Sequence, residues 1–143
     1  MNTFVAKKEN IERKWYVIDA SAAPLGRITT KVAKILMGKE KPIFTPNCDC
    51  GDYVIVINSD NLKLTGLKLK DKIYYRHSGY KGGLRQRTAK EQIEKDSRFV
   101  IEHAVKGMLP KTKLGEDMFR KLFVYKDNKH THQAQKPIVL GVE

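Results

Sequence analysis

The fold is decided by two stretches of sequence, WYVIDASAAPLGRITTKVAKILMG at residues 15–38 and YVIVI at residues 53–57. The first stretch begins, and the second consists of, an unbroken apolar and β-prone run, the pattern of a strand buried on both faces of a sheet. Between these runs, apolar residues recur at helical spacing on one stripe. The residues of this stripe are Leu25, Ile28, Val32, Ile35 and Leu36. Pro24 suits the first turn of the helix, and Gly38 is typical of the residue that ends it. A strand, a helix and a strand in this order predict an α/β fold with a parallel sheet.

The segment that follows predicts an antiparallel hairpin with a concentration of positive charge. Residues 72–77 and 84–87 have the composition of strands, and the six residues between them include three glycines. The whole chain holds 28 Lys and Arg against 16 Asp and Glu, a net charge of +12. Residues 62–90 alone hold nine basic and one acidic side chain, a net charge of +8. Such an excess favours a polyanionic partner.

Two helices are predicted after the hairpin from their start signals. Thr88 and Glu91 have the spacing of a capping box, which marks the beginning of a helix. Ser97 is predicted to cap a second helix that ends before Pro110. A short third helix and a last short strand are predicted to follow before residue 126.

The length of 143 residues is that of one domain, and we expect a single domain over residues 1–143. Residues 1–14 are polar and charged and predict an extended N-terminal arm, and residues 126–143 predict an extended C-terminal tail. Residues 1–8 lack the apolar core of a secretory signal, and no apolar run is long enough to cross a bilayer.

The two cysteines are the first candidates for a metal site. Cys48 and Cys50 are separated by one residue, whereas paired zinc ligands are usually separated by two to four. His130 and His132 are the candidates for the second pair, and they lie about 80 positions later in a polar segment. We therefore expect two thiols in a loop and no metal.

Signals of an enzyme are weak. The first βα turn, residues 19–27, has one glycine, whereas phosphate-binding loops need several. Arg27 in this turn is interpreted as a salt-bridge partner or an outer phosphate contact. No serine or cysteine has the pattern of a nucleophile elbow, and no pair of carboxylates lies in an apolar stretch. We expect no catalytic residue and no cofactor.

The predicted hairpin is the best candidate for a binding site. Arg85 and Arg87 project to the same face of a strand because side chains alternate, and Arg76 can join them from the opposing strand. The glycines allow the loop backbone to approach phosphates, and Tyr80 can stack on a splayed base. A second basic cluster surrounds Pro110. The residues predicted to contact the polyanion are Arg76, His77, Tyr80, Lys81, Arg85, Arg87, Lys106, Lys111, Lys113, Arg120 and Lys121. The alternative is a solvated basic face with one or two core tyrosines, among which Tyr75, with Ile73, is a candidate.

Several motifs resemble those of a known family, the bacterial-type large-subunit ribosomal protein thirteen family, over about residues 13–140. The motifs are YYRHSGYKGG at 74–83, VKGMLPK at 105–111 followed by LG, MFRKL and VY up to residue 125, and WYVIDA with PLGR between 15 and 27. Thr45-Pro46, Gly51-Asp52-Tyr53 and Ile57-Asn58 are also similar to the N-terminal half of that family. Cys48 and Cys50 depart from the polar residues expected at their positions.

The resemblance implies a three-layer α/β/α sandwich on a mainly parallel four-stranded sheet, with the basic hairpin attached. It also implies a structural constituent of the large ribosomal subunit that binds large-subunit ribosomal RNA, supports early subunit assembly and adjoins other ribosomal proteins. Neither enzymatic activity, a small-molecule substrate nor a membrane is implied. The hairpin resembles the bacterial and organellar form of the family, and because no transit peptide is visible, the expected location is the bacterial cytoplasm, in the large subunit. The residues by themselves leave two alternatives, a nucleotide-dependent phosphotransfer enzyme and a DNA-binding module.

Overall fold

The computed structural model describes residues 4–142. Its elements are β1 (Trp15–Asp19), α1 (Leu25–Met37), β2 (Tyr53–Ile57), α2 (Lys68–Asp71), β3 (Ile73–His77), β4 (Leu84–Thr88), α3 (Ala89–Met108), α4 (Lys113–Phe119), β5 (Leu122–Val124) and β6 (Ile138–Leu140). Two short 3₁₀ turns cover Lys8–Asn10 and Ser59–Asn61. The first three residues of the predicted arm and the last residue of the predicted tail lie outside the described part. Among the helices of residues 4–142, none has the length and apolar composition that a membrane crossing requires.

Four strands form the main sheet in the order β5-β2-β1-β6, and each neighbouring pair is parallel. The predicted α/β class and the mainly parallel four-stranded sheet are therefore confirmed. The fourth strand, β6, comes from the segment that the sequence predicted only as an extended tail. Tyr16 of β1 is in register with Ile138 of β6, so this tail completes the sheet.

The main core lies on one face of the sheet. Ile18 of β1 and Val54 and Val56 of β2 share this face, and all three side chains are fully buried. The buried side chains of α1, α3 and α4 belong to the same core. Because successive side chains on a strand alternate, Val17 and Ile55 point to the opposite face, where they are also buried. The prediction that these strands are buried on both faces is confirmed.

Aromatic rings follow one another across the opposite face of the sheet. The rings of Trp15 and Tyr53 stack with centroids 4.3 Å apart, and Phe123 of β5 lies 5.6 Å from Trp15. His132 lies 5.0 Å from Trp15 and 4.5 Å from Phe123, ring centroid to ring centroid. The segment between β5 and β6 therefore covers this end of the second face, and it does so without forming a helix.

The two ends of α1 follow from their residues. Pro24 occupies the position before the helix rather than its first turn, with extended backbone angles. Gly38 ends the helix in the left-handed region at φ 75°, and its N–H donates to the carbonyl oxygen of Ile35. A Cβ at Gly38 would lie 2.6 Å from the backbone of Cys50, so both the conformation and the close approach require glycine.

The helix α3 contains both predicted helices, joined at a kink. The Thr88–Glu91 capping box is present, with the Thr88 side chain accepting from the Glu91 N–H and the Glu91 side chain accepting from the Thr88 N–H. The kink is at Asp96, whose backbone is extended at φ −156° and ψ 101°. Asp96, not Ser97, caps the second part, because its carboxylate accepts from the Arg98 N–H. Ser97 is buried and its hydroxyl bonds elsewhere, so the predicted cap was wrong by one residue.

Candidate nucleic-acid interface

Strands β3 and β4 pair antiparallel, separate from the main sheet. Arg76 is directly opposite Arg85, and Tyr74 is directly opposite Arg87. Because opposed residues share a face and alternate residues on a strand do so too, three arginines lie on one face of this pair. We call this surface, formed by Arg76, Arg85 and Arg87, the arginine face.

Tyr74 attaches the base of the arginine face to α3. Its side chain is 8% exposed, and its ring meets the rings of Phe99 and His103 edge to face at 5.8 and 5.5 Å. The Nζ atom of Lys72 lies 5.4 Å from the centre of the Tyr74 ring. Burial raises the pKa of the Tyr74 hydroxyl. This strand pair is therefore held against α3 by the ring contacts of Tyr74, by the Ala89 N–H, which donates to the Lys72 carbonyl oxygen, and by the direct continuation of β4 into the helix.

The neighbouring tyrosine points the other way. Tyr75 is 64% exposed, and Ile73 on the same side is partly exposed as well. The suggestion that Tyr75 and Ile73 belong to the core is therefore wrong, because the pleat gives the buried position to Tyr74.

The loop between the strands is polar and largely exposed to solvent. Gly79 and Gly82 have positive φ values of 91° and 68°, and the Ser78 N–H donates to the Gly83 carbonyl oxygen, which closes the loop. The Gly79 N–H donates to Nδ1 of His77 at 2.9 Å. Because Nδ1 accepts this bond, Nε2 is the ring nitrogen that carries a proton for another acceptor. Tyr80, at 80% exposed, and Lys81 lie in this loop with the side chains available to a ligand.

The second predicted cluster lies where α3 ends and α4 begins. Its exposed members are Lys106, Lys111, Lys113 and Arg120. Thr112 caps α4 by accepting from the Gly115 N–H, and Gly115 packs so closely on the Pro110 carbonyl that no side chain fits there. Arg120 is partly neutralised by Asp117, whose carboxylate lies 3.3 Å from its guanidinium. Three lysines of this cluster therefore present their charges to solvent at a fixed corner.

Lys121 does not belong to this surface, which corrects the sequence prediction. It is buried, and its Nζ atom donates to Asp49 at 2.5 Å and to the carbonyl oxygen of Leu36 at 3.0 Å. Arg13 approaches the other carboxylate oxygen of Asp49 at 3.5 Å. Burial lowers the pKa of Lys121, although the bond to Asp49 acts in the opposite direction. Lys121 therefore serves the fold, and its ammonium group cannot reach a phosphate.

The two cysteines flank Asp49 in the sequence and are buried beside it. Cys48 and Cys50 are free thiols and are buried against Ala6, and the Cys50 thiol donates to the carbonyl oxygen of Ile43 at 3.6 Å. Within the described part of the chain, no group of three or more His, Cys, Asp or Glu side chains could hold a metal ion. The Cys-Asp-Cys sequence positions the partner of Lys121.

One basic stripe was not among the predicted site residues. Arg27, Lys31 and Lys34 lie on α1 at spacings of four and three, which places them on one side of the helix. The spacing of these residues is visible in the sequence. The net charge of the region does not reveal the stripe, however, because residues 1–61 carry nearly as many acidic as basic side chains. For Arg27, no ion pair is found among residues 4–142, so its interpretation as a salt-bridge partner is not supported.

Comparison with known proteins gives one consistent result. The family model described as "Ribosomal protein L13" matches residues 13–131. A protein of Acholeplasma laidlawii is 57% identical over 142 residues, covering 99% of this chain and 100% of the relative. A protein of Desulfitobacterium hafniense is 54% identical over 143 residues with both chains fully covered, and one of Geobacillus kaustophilus is 57% identical over 137 residues, covering 96% of this chain and 94% of the relative. All three relatives bear the name "Large ribosomal subunit protein uL13".

Proposed function

Because this chain belongs to the ribosomal protein L13 family, a family of ribosomal proteins and not of enzymes, we propose that it is a structural constituent of the large ribosomal subunit. We further propose that it binds large-subunit ribosomal RNA through the arginine face and the loop beside it. Its place of action is then the cytoplasm, in contact with neighbouring ribosomal proteins. Its role in assembly is to hold RNA segments together early, when their phosphates still repel one another.

The arginine face is the single observation that carries the RNA proposal. Arg76 and Arg85 are directly opposed, and like charges at opposed positions of a strand pair destabilise it. Within the described residues, neither of them nor Arg87 forms an ion pair with an acidic side chain. A closely spaced set of cations without acidic partners is stabilised when a polyanion supplies the counter-charges and releases its own bound cations.

The surroundings of the arginine face favour RNA over duplex DNA. An exposed tyrosine at the tip of a glycine-containing loop suits an unpaired base, which structured RNA presents and duplex DNA does not. His77 offers a donor at Nε2 for a phosphate oxygen, and Lys81 adds a charge in the same loop. Phosphate contacts then position the protein, while the shape of the RNA and its splayed bases give specificity.

The proposed RNA-binding set is thus the predicted one without its buried member. It comprises Arg76, His77, Tyr80, Lys81, Arg85, Arg87, Lys106, Lys111, Lys113 and Arg120. The exposed lysines at the α3–α4 corner supply a second group of phosphate contacts. The mechanism is neutralisation of phosphates by side chains that the α/β body holds in fixed positions.

The test measures RNA binding across a salt series with a variant of the hairpin. Replacing Arg76, Lys81, Arg85 and Arg87 together by Gln removes four charges. Each phosphate contact contributes about 0.7–0.9 to the slope of log affinity against log salt, so the slope should fall by up to about 3–4. The probe is protein-free large-subunit ribosomal RNA, and circular dichroism checks that the variant is folded.

A matched control separates this site from net charge alone. Four exposed lysines elsewhere, Lys7, Lys39, Lys126 and Lys129, are replaced by Gln, which changes the net charge by the same amount. This control should retain the wild-type slope. If both variants lose the same slope, binding is delocalised and the proposed site is wrong. Tyr80→Ala should weaken binding by about 1–3 kcal/mol without a change of slope if a base stacks there.

A further inference from the structure

A groove of about 640 Å³ lies where α1 meets the end of α3 and the C-terminal residues. Among the described residues 4–142, its lining includes three cations of α1, Arg27, Lys31 and Lys34, and one acidic side chain, Glu40. The described side chains that line the groove therefore carry a net positive charge, and the groove lies outside the hairpin and the α3–α4 corner. We call it the α1 groove.

Two of the three cations of the α1 groove have no acidic partner in the part of the chain that the structure describes. Within residues 4–142, neither Arg27 nor Lys34 forms an ion pair, and both side chains are exposed. Lys31 is different, because its Nζ atom donates to the carbonyl oxygen of Gly141 at 2.6 Å and so fixes the C-terminal wall of the groove. Two cations are thus available to a ligand, and the third is part of the built wall.

The α1 groove and the arginine face lie on different sides of α3. Phe99 contacts Tyr74 of the hairpin, whereas Met108 lines the α1 groove, with its sulfur 3.8 Å from the hydroxyl of Thr30. Phe99 and Met108 are nine residues apart in the part of α3 beyond the kink. At about 100° per residue, nine residues amount to half a turn beyond two full turns, so these side chains leave the helix on opposite sides. A helix about 10 Å wide with its side chains therefore separates the two surfaces.

We propose that the α1 groove is a second phosphate-binding site, which receives the backbone of an RNA segment other than the one on the arginine face. This inference rests on the proposed function for the identity of the polyanion. A groove with cations at spacings of four and three residues along one helix suits a phosphodiester backbone, whose charges are regularly spaced. The protein would then join two segments of one RNA, with α3 as the spacer between them.

The experiment compares a groove variant with the hairpin variant described above. Arg27→Gln/Lys34→Gln removes the two available charges, keeps residues that favour a helix, and leaves the Lys31 contact in place. The slope of log affinity against log salt for protein-free large-subunit ribosomal RNA should fall by about 1.4–1.8. Lys126→Gln/Lys129→Gln is the control of equal charge and should leave the slope unchanged. Circular dichroism verifies folding of both variants.

Hydroxyl-radical footprinting of the same RNA tests whether two segments are bound. The wild-type protein should protect two separate sets of nucleotides, of which the groove variant loses one and the hairpin variant the other. If the groove variant keeps the full slope and the full footprint, the inference is wrong. If both variants lose the same nucleotides, the two surfaces contact one segment and the inference is equally overturned.

The two proposals fail in different ways. If the hairpin variant binds as the wild type does while the groove variant loses slope and footprint, the inference stands and the hairpin assignment is wrong. If the wild-type protein protects no nucleotides and binds without salt dependence, the proposed RNA binding itself is wrong, and the groove has no RNA to receive.

Discussion

Replacement of Lys121 by Met separates the charges that hold the fold from those that contact RNA. The variant keeps an unbranched apolar side chain but lacks the ammonium group. The buried carboxylate of Asp49 then loses the donor that lies 2.5 Å away, and the carbonyl oxygen of Leu36 loses the one at 3.0 Å. Removing one partner of a buried ion pair typically costs about 3–5 kcal/mol. Arg13 remains 3.5 Å from the other oxygen of Asp49 and offsets part of the loss. We therefore expect a loss near the lower end, about 3 kcal/mol.

Urea unfolding followed by circular dichroism measures this loss in a double-mutant cycle. The cycle comprises Lys121→Met, Asp49→Asn and the double variant. The double variant should be less destabilised than the sum of the single variants, because it no longer contains an unpaired buried charge. Lys113→Met, an exposed change on α4, is the control and should stay within about 0.5 kcal/mol of the wild type.

For Lys121→Met, RNA binding gives a second, independent test. Because Lys121 is buried, the salt dependence of the folded protein should equal that of the wild type. A loss of stability below about 1 kcal/mol, together with a slope reduced by about 0.7–0.9, would refute the reasoning and restore Lys121 as a phosphate contact.

Three further predictions concern the fold. Val56→Ala should reduce stability by about 1–3 kcal/mol in urea unfolding, because its side chain is fully buried in the main core, and an unchanged midpoint would contradict the packing described. Thr88→Ala should cost about 0.5–2 kcal/mol through loss of the capping box, with Thr88→Ser as the variant that retains it; equal losses would show that the hydroxyl is not what stabilises the helix start. The hydrogen bond from Arg98 lowers the pKa of Asp96, so this carboxylate contributes stability that is present above its ordinary pKa and lost as the pH falls through the lower folded value. Asp96→Asn still provides a cap but cannot titrate, and its stability should decline less than that of the wild type in melts between pH 6 and about 3; parallel curves would exclude this contribution.

The sequence was sufficient for the parts of the fold that depend on local patterns. Unbroken apolar runs identified β1 and β2, and the spacing of apolar residues identified α1. Glycine at position 38 gave the helix end correctly because its left-handed conformation is a local property. The capping box at Thr88 is local in the same sense, since both of its hydrogen bonds close within four residues.

The remaining features depend on contacts between residues distant in sequence. The sequence grouped Lys121 with solvent-facing cations. Its burial depends on Asp49, which lies 72 positions away and accepts a hydrogen bond from it, so local patterns could not reveal it. Tyr74 and Tyr75 are equivalent by composition, and the position of α3 decides which of them is buried. The strand β6 is a short apolar run in a polar segment, and it becomes a strand because β1 offers an open edge.

The parallel pairing of β6 with β1 has a consequence for biosynthesis. The chain is made from its N-terminus, so β1 and β2 can pair early, whereas β6 is the last strand to emerge. Until residue 140 is available, one edge of β1 keeps its peptide groups unpaired and can recruit a strand from another nascent molecule. A product truncated before residue 138 would retain that open edge permanently. Such a fragment should aggregate even though every helix and the remaining three strands of its main sheet are encoded.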